Sequence, residues 1–263
     1  MSVRTRIATA APLIGGFLAA LFWAPPMLWA GLMLVILFLA AAEWAALHKF
    51  DPVPTYAFAL LVACIGLFAW EMDWPDKALA YFPAALFWLG VPFLLRRPEH
   101  MLPAFVSLAL AALLLVSTWM AIVSLRQQSP GVLLAVVGLV IVADSAAYFA
   151  GRRFGRHKLA PRISPGKTWE GAAGATVGVS LYVLFLLGFL PDLLPGPGPA
   201  ILALAWALLA LSVLGDLFES VLKRQAGVKD SGNLLPGHGG VLDRIDSLTA
   251  VLPVAALLWI GLT

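Results

Sequence analysis

Apolar residues run along this chain in nine blocks, at 7–24, 27–47, 55–71, 78–95, 102–124, 131–150, 170–190, 199–217 and 241–262. Within each block the apolar character is continuous, and Leu, Ala and Val dominate. Each block holds about 20 residues, enough for a helix to cross about 30 Å of hydrocarbon. Helices are the expected form, because backbone that faces lipid must satisfy its own hydrogen bonds. A barrel would instead show short strands of alternating polarity. The pattern predicts an all-α, polytopic integral membrane bundle of about nine transmembrane helices.

The polar stretches between blocks are short. Two stand out: 151–169 is very basic, and 219–240 is glycine-rich with charges of both signs. The stretch 191–198 holds one acid among prolines and glycines. No internal repeat, linker or low-complexity tail is visible.

Composition agrees with burial in lipid. Of 263 residues, 62% are apolar or aromatic and 12% charged, where a soluble domain carries about a quarter charged residues. One membrane domain, 1–263, uses the whole length and leaves no room for a soluble second one. Arg4 and Arg6 before the first block also fit a signal peptide. The block is long, however, and meets Pro25-Pro26 rather than a small-residue cleavage site, so it reads as the first span. The single cysteine, Cys64, excludes an intrachain disulfide and a cysteine metal site.

Charge placement gives an orientation. With nine spans, one set of block ends carries all the Lys and Arg except Lys77 and Arg126, 15 of 17. By the positive-inside tendency this puts the N-terminus in the cytoplasm and the C-terminus outside.

Four aspartates recur at the cytoplasmic edge: Asp144 in the sixth block, Asp216 in the eighth, and Asp243 with Asp246 opening the ninth. The last two, at i and i+3, share a helix face. Taken singly, each fits an interfacial anchor paired with a nearby Lys or Arg. As a set on three helices they fit a hard-cation site, because Mg²⁺ binds through a few carboxylates plus substrate phosphates. Flanking Lys and Arg suit polyphosphate. Acids for metal beside bases for phosphate fit metal-assisted phosphoryl or nucleotidyl transfer. Glu43, inside the second block, reads as structural, pairing with a neighbouring span. Glu170 stands where a helix N-terminus favours an acid.

Gly166-Lys167-Thr168 resembles the end of a P-loop, but Pro161 stands where the first glycine is required. His48, His100, His157 and His238 have no zinc-ligand spacing. An ion pathway would place charges at mid-bilayer depth rather than at one edge.

The stretch 220–246 reads SVLKRQAGVKDSGNLLPGHGGVLDRID. It closely resembles the signature of the phosphatidate cytidylyltransferase family, also called CDP-diacylglycerol synthases. Ser220, Lys223-Arg224, Lys229-Asp230, Pro236, His238-Gly239-Gly240, Asp243-Arg244 and Asp246 supply every element of it. Asp144 to Gly151 and the run from Ile163 to Gly171 look like the family's second cytoplasmic motif. Some relatives carry Lys where Gly166 stands, which leaves this loop one positive charge short. The matching motifs cover the C-terminal half.

The resemblance implies a membrane enzyme that turns CTP and phosphatidate into CDP-diacylglycerol and pyrophosphate, an activated-lipid step of phospholipid biosynthesis. It implies Mg²⁺, with room for a second cation, and a dimeric helical bundle whose polar cavity opens to the cytoplasm and sideways to lipid. The expected location is a bacterial inner membrane, with no role for nucleic acid. Spans 7–124 then serve as scaffold and lipid access, and spans 131–262 are catalytic. Asp144, Asp216, Asp243 and Asp246 would hold metal. Lys223, Arg224, Lys229, Asp230, His238 and Arg244 would be catalytic. Lys167, Arg162, Ser220, Gly239 and Gly240 would bind substrate. His238 either donates to a phosphate or holds its glycine loop. Lys167 and Arg162 either bind CTP or are ordinary positive-inside charges. The signature fixes the head-group chemistry better than the lipid tails, so an isoprenoid or ether-lipid phosphate is the rival substrate.

Overall fold

A computed structural model of the chain describes residues 3–72, 78–99, 102–194, 196–234, 237 and 239–262. Among them are nine α-helices: α1 (Val3–Trp23), α2 (Pro26–Ala46), α3 (Pro52–Glu71), α4 (Ala78–Leu94), α5 (Ala104–Gln128), α6 (Pro130–Phe154), α7 (Trp169–Phe189), α8 (Gly198–Ala226) and α9 (Leu242–Leu262). Each coincides with one predicted apolar block. Six of them, α2, α3, α5, α6, α7 and α8, are long and apolar enough to cross a membrane; α1 and α4 hold shorter apolar stretches, Ile14–Trp23 and Leu79–Leu94. Of the two cations predicted to lie outside, Lys77 falls outside the described residues.

Helix starts follow local chemistry. Pro stands in the first turn of α2, α3, α6 and α8, where its missing N–H costs nothing. Ser129 and Thr168 cap α6 and α7 by accepting from the N–H groups of Val132 and Gly171. At its other end α8 stops at Gly227, whose φ of 76° is left-handed.

Three helices outrun their apolar blocks. α5 continues to Gln128, α6 to Phe154 and α8 to Ala226. The added residues include Arg, Gln, Lys and Glu, which are good helix formers. Lys223 and Arg224 sit in the last turn of α8, where cations favour the helix dipole. Part of the expected 219–240 loop is therefore helix, and Ser220, Lys223 and Arg224 project from a rigid element.

The basic loop also holds structure that hydropathy does not suggest. Strands β1 (Lys158–Ala160) and β2 (Ser164–Thr168) form a short antiparallel hairpin. Glu170 fastens it to α7 by accepting from the Arg156 and His157 backbone N–H groups at 3.1 and 3.2 Å, with His157 Nδ1 at 2.6 Å.

α5 and α9 lie at the centre. α5 packs on α2, α3, α4, α6 and α9, and α9 packs on α8 and α4 as well. Around them, Leu60, Leu89, Phe93, Phe105 and Phe189 face outward, as helices in lipid require. Two buried indoles bond across helices: Trp88 Nε1 donates to the Thr249 carbonyl at 3.2 Å, and Trp119 Nε1 to that of Ala30 at 3.1 Å. Arg126 is buried, donating to the carbonyls of Leu21 at 3.0 Å and of Ala24. It closes the end of α1 rather than serving as a solvated orientation charge.

Two close helix contacts shape the site. Any Cβ on Gly174 or Gly178 of α7 would collide with Ala150 or Ala146 of α6. A Cβ on Gly215 of α8 would stand 2.7 Å from the Asp246 carbonyl of α9. Small residues let these backbones approach, as is common between membrane helices.

Candidate active site

One face of α8 carries Asp216, Ser220, Lys223 and Arg224, spaced so that successive turns align. Ser220 Oγ donates to Asp216 Oδ1 at 3.3 Å. Because Gly215 draws α9 against α8, Asp243, Arg244 and Asp246 come to the same place. α6 contributes Asp144 and Arg152, and the hairpin contributes Lys167. Together with Lys229 and Asp230 these side chains line one cavity of about 670 Å³. Acids and bases from four elements thus share one space.

The charges are paired in a definite pattern. Lys167 Nζ lies 2.7 Å from Asp216 Oδ2. Lys223 Nζ lies 2.6 Å from Asp243 Oδ1 and also binds Glu219. Asp243 Oδ2 accepts from the backbone N–H groups of Ser231 at 2.9 Å and Gly240 at 2.8 Å. Both oxygens of Asp243 are therefore engaged. Asp144, Asp216 and Asp246 face the same cavity. Among the described residues, Asp246 accepts from the N–H of Ser247, at 2.7 Å.

Among the described residues, no three carboxylate, imidazole or thiol side chains converge as a ready metal cage. The donor set still fits Mg²⁺. Five aspartates line the cavity, Asp144, Asp216 and Asp246 among them, and Mg²⁺ usually takes one or two protein carboxylates and fills its shell with water and phosphate oxygen.

The remaining predicted residues fall around the cavity. Arg224 lines it and donates to the Val228 carbonyl at 3.3 Å. Gly239 and Gly240 lie behind Asp243. Gly239 has a φ of 82°, and a Cβ there would stand 2.7 Å from Asp243 Oδ2. Arg162 is exposed at the hairpin turn and does not line the cavity. Pro236 and His238 lie outside the described residues.

The cytidylyltransferase family's sequence profile matches residues 4–260. The chain belongs to this family. A phosphatidate cytidylyltransferase of Pseudomonas aeruginosa is 40% identical over 268 residues, covering 98% of this chain and 97% of its own. That of Thermotoga maritima is 34% identical, covering 98% and 96%. The likeness is therefore between whole proteins, not confined to the signature. That of Haemophilus influenzae reaches 53% over 123 residues, 46% of this chain and 43% of its own.

Two acids of this cytidylyltransferase were not placed in the site from sequence. Glu219 is buried, binds Lys223 through one oxygen and has no hydrogen-bond partner for the other among the described residues. Its spacing of four from Lys223 was a readable signal. Among the described residues, Glu43 is paired to the start of a neighbouring span, α9, through backbone N–H groups rather than through a charged side chain. It accepts from the Val241 N–H at 3.0 Å, the Leu242 N–H at 2.8 Å and Ser231 Oγ at 3.0 Å.

Proposed function

We propose that the chain is a phosphatidate cytidylyltransferase, transferring the cytidylyl group of CTP to phosphatidate and releasing pyrophosphate. The observation that carries this is the mixed cavity: Asp144, Asp216 and Asp246 beside Lys167, Lys223, Arg224, Lys229 and Arg244. The near full-length likeness to phosphatidate cytidylyltransferases supports it.

Both substrates are anions, so their repulsion must be screened before they meet. Lys167, on the hairpin, and Lys229 and Arg224 on the facing wall neutralise the triphosphate. Lys223, fixed by Glu219 and Asp243, presents a cation at a constant position, so little reorganisation is needed as charge develops. Arg244 serves the lipid phosphate from the start of α9. An oxygen of that phosphate forms the new bond to the α-phosphorus of CTP, and the bond to pyrophosphate breaks on the opposite side. No general base is needed, because a phosphate monoester is already ionised at neutral pH. Asp144, Asp216 and Asp246 would hold Mg²⁺, which when bound supplies charge neutralisation and alignment of the phosphate oxygens. Asp243, saturated by Lys223 and two N–H groups, serves in this reading to fix the loop and Lys223.

The distribution of Lys and Arg supports nine spans, an N-terminus in the cytoplasm and the cavity opening to that side, where CTP is available. The cavity lies where α6 and α8 end and α9 begins, which supports a position at the membrane edge, within reach of a lipid head-group.

The test is pyrophosphate release by purified protein. Release is expected only when CTP, phosphatidate and Mg²⁺ are present together. Release from CTP alone, or equal release with an isoprenoid phosphate, would overturn the assignment.

A further inference from the structure

Glu43 is 6% exposed and belongs to α2, far in sequence from the signature stretch. A buried carboxylate needs strong partners, since an unpaired charge away from water costs several kcal/mol. Its partners are the N–H groups of Val241 and Leu242, at the start of α9, and the Ser231 hydroxyl. The N-terminus of α9 favours negative charge for two reasons, its unbonded N–H groups and its dipole. Glu43 thus caps α9 from another helix.

The same backbone serves Asp243. Ser231 gives its hydroxyl to Glu43 and its N–H to Asp243. Gly240 gives its N–H to Asp243, and the next two N–H groups go to Glu43. Two carboxylates, one from each half of the chain, therefore pin together both ends of the stretch 231–240. The space is cut to fit: a Cβ on Gly232 would collide with Glu43, and one on Gly240 with Glu43 and Ser231. The far side of α2 is equally fixed. Trp44 is buried, donates to Ser107 Oγ of α5 at 3.0 Å and packs against Phe218 of α8.

We propose that Glu43 is a positioning residue for cytidylyl transfer: through the backbone of Ser231 and of residues 240–242 it sets Asp243, and through Asp243 the ammonium of Lys223 at the cavity wall. The inference rests on the cytidylyltransferase reading. It gives the amino-terminal half a part in the active site beyond scaffold and lipid access.

The test compares wild type, Glu43→Gln, Ser231→Ala and the double variant, as full-length purified protein in detergent. Activity is measured per folded molecule, well below the unfolding midpoint of each. Gln keeps the size of Glu43 but turns an NH₂ group toward N–H donors. Glu43→Gln is expected to lower kcat about tenfold to a hundredfold, the range for misplaced catalytic groups. KM for CTP should move less than about threefold, because no contact to bound substrate is removed. Ser231→Ala, which deletes one of the three bonds, should show a smaller loss in kcat. Added to Glu43→Gln it should cost less than about twofold more, since both act through one contact. A purely structural role predicts a lower unfolding midpoint with wild-type kcat in the folded fraction, and that result overturns the proposal. If Glu43→Gln does not fold, Ser231→Ala decides alone, and a wild-type kcat for it also overturns the proposal. A wild type that releases no pyrophosphate from CTP and phosphatidate would instead sink the functional reading beneath it.

Discussion

Lys167 Nζ, on the second hairpin strand, stands 2.7 Å from Asp216 Oδ2 on α8. This pair joins the basic loop to the acidic helix face across the cavity. Both side chains are partly exposed, 23% and 33%, so the pair adds little stability by itself. Its value lies in where it holds a cation. When triphosphate enters, Lys167 can turn to it without leaving the cavity wall.

Lys167→Gln should therefore raise KM for CTP about tenfold, the order expected for one hydrogen bond to a charged group. The loss of kcat should be smaller. Steady-state kinetics at varied CTP checks this. An unchanged KM would make Lys167 an ordinary membrane-edge charge.

Asp246→Asn keeps size and removes a carboxylate charge that lines the cavity and accepts from the Ser247 N–H. The expected result is a loss of about a hundredfold or more in kcat, with a higher Mg²⁺ concentration needed for half-maximal rate. Titrating Mg²⁺ against the rate of pyrophosphate release measures both. Wild-type rate and Mg²⁺ dependence would remove Asp246 from the metal site.

The parts legible in the sequence were those written in short-range patterns. The nine helices follow from continuous apolar blocks, and the acid-base cluster follows from charges interrupting those blocks at one edge. The hairpin was not legible, because Lys158–Ala160 and Ser164–Thr168 are short, polar and free of the alternation that marks a strand. It forms because Glu170 and the α6–α7 contact hold its ends. The role of Glu43 was hidden for another reason. Two of its three partners are backbone N–H groups, which every residue but proline has, and they lie 198 and 199 positions away. No side-chain pattern encodes such a contact. The pairing of Asp243 was likewise invisible, since an Asp three residues before Asp246 reads the same whether it meets metal or lysine.

Close packing of α6 on α7 gives a third prediction. A side chain on Gly174 would run into Ala150, and this helix pair carries Asp144 and the hairpin. Gly174→Val should destabilise the protein by about 3 kcal/mol, the upper range for overpacking a well-filled contact. Thermal unfolding in detergent measures the shift. Gly188, with open space around its Cβ position, is the control: Gly188→Ala should leave the midpoint unchanged or slightly raised.

The last prediction concerns pH and the end of α2. His48 follows the helix, its Nε2 2.8 Å from Ser107 Oγ and its ring stacked near Phe50. Burial holds its pKa below the ordinary value of 6.5. Folded and unfolded chains then both carry a neutral His48 above that value. As pH falls below it, the unfolded chain takes up a proton first, so the equilibrium moves toward unfolding. The stability contribution is present above 6.5 and is lost as pH falls through the folded value. His48→Gln keeps a hydrogen-bonding group for Ser107 and removes the titration. The variant's unfolding midpoint should fall less steeply than the wild type's between about pH 7 and pH 5. Parallel curves would mean that His48 is equally free to protonate in both states. Because the same Ser107 hydroxyl receives Trp44, the residue after Glu43, the acid-side loss should also loosen the post from which Glu43 holds α9. Amide exchange at Val241 and Leu242 should accordingly rise in wild type over that pH interval, after correction for intrinsic exchange, and rise less in His48→Gln.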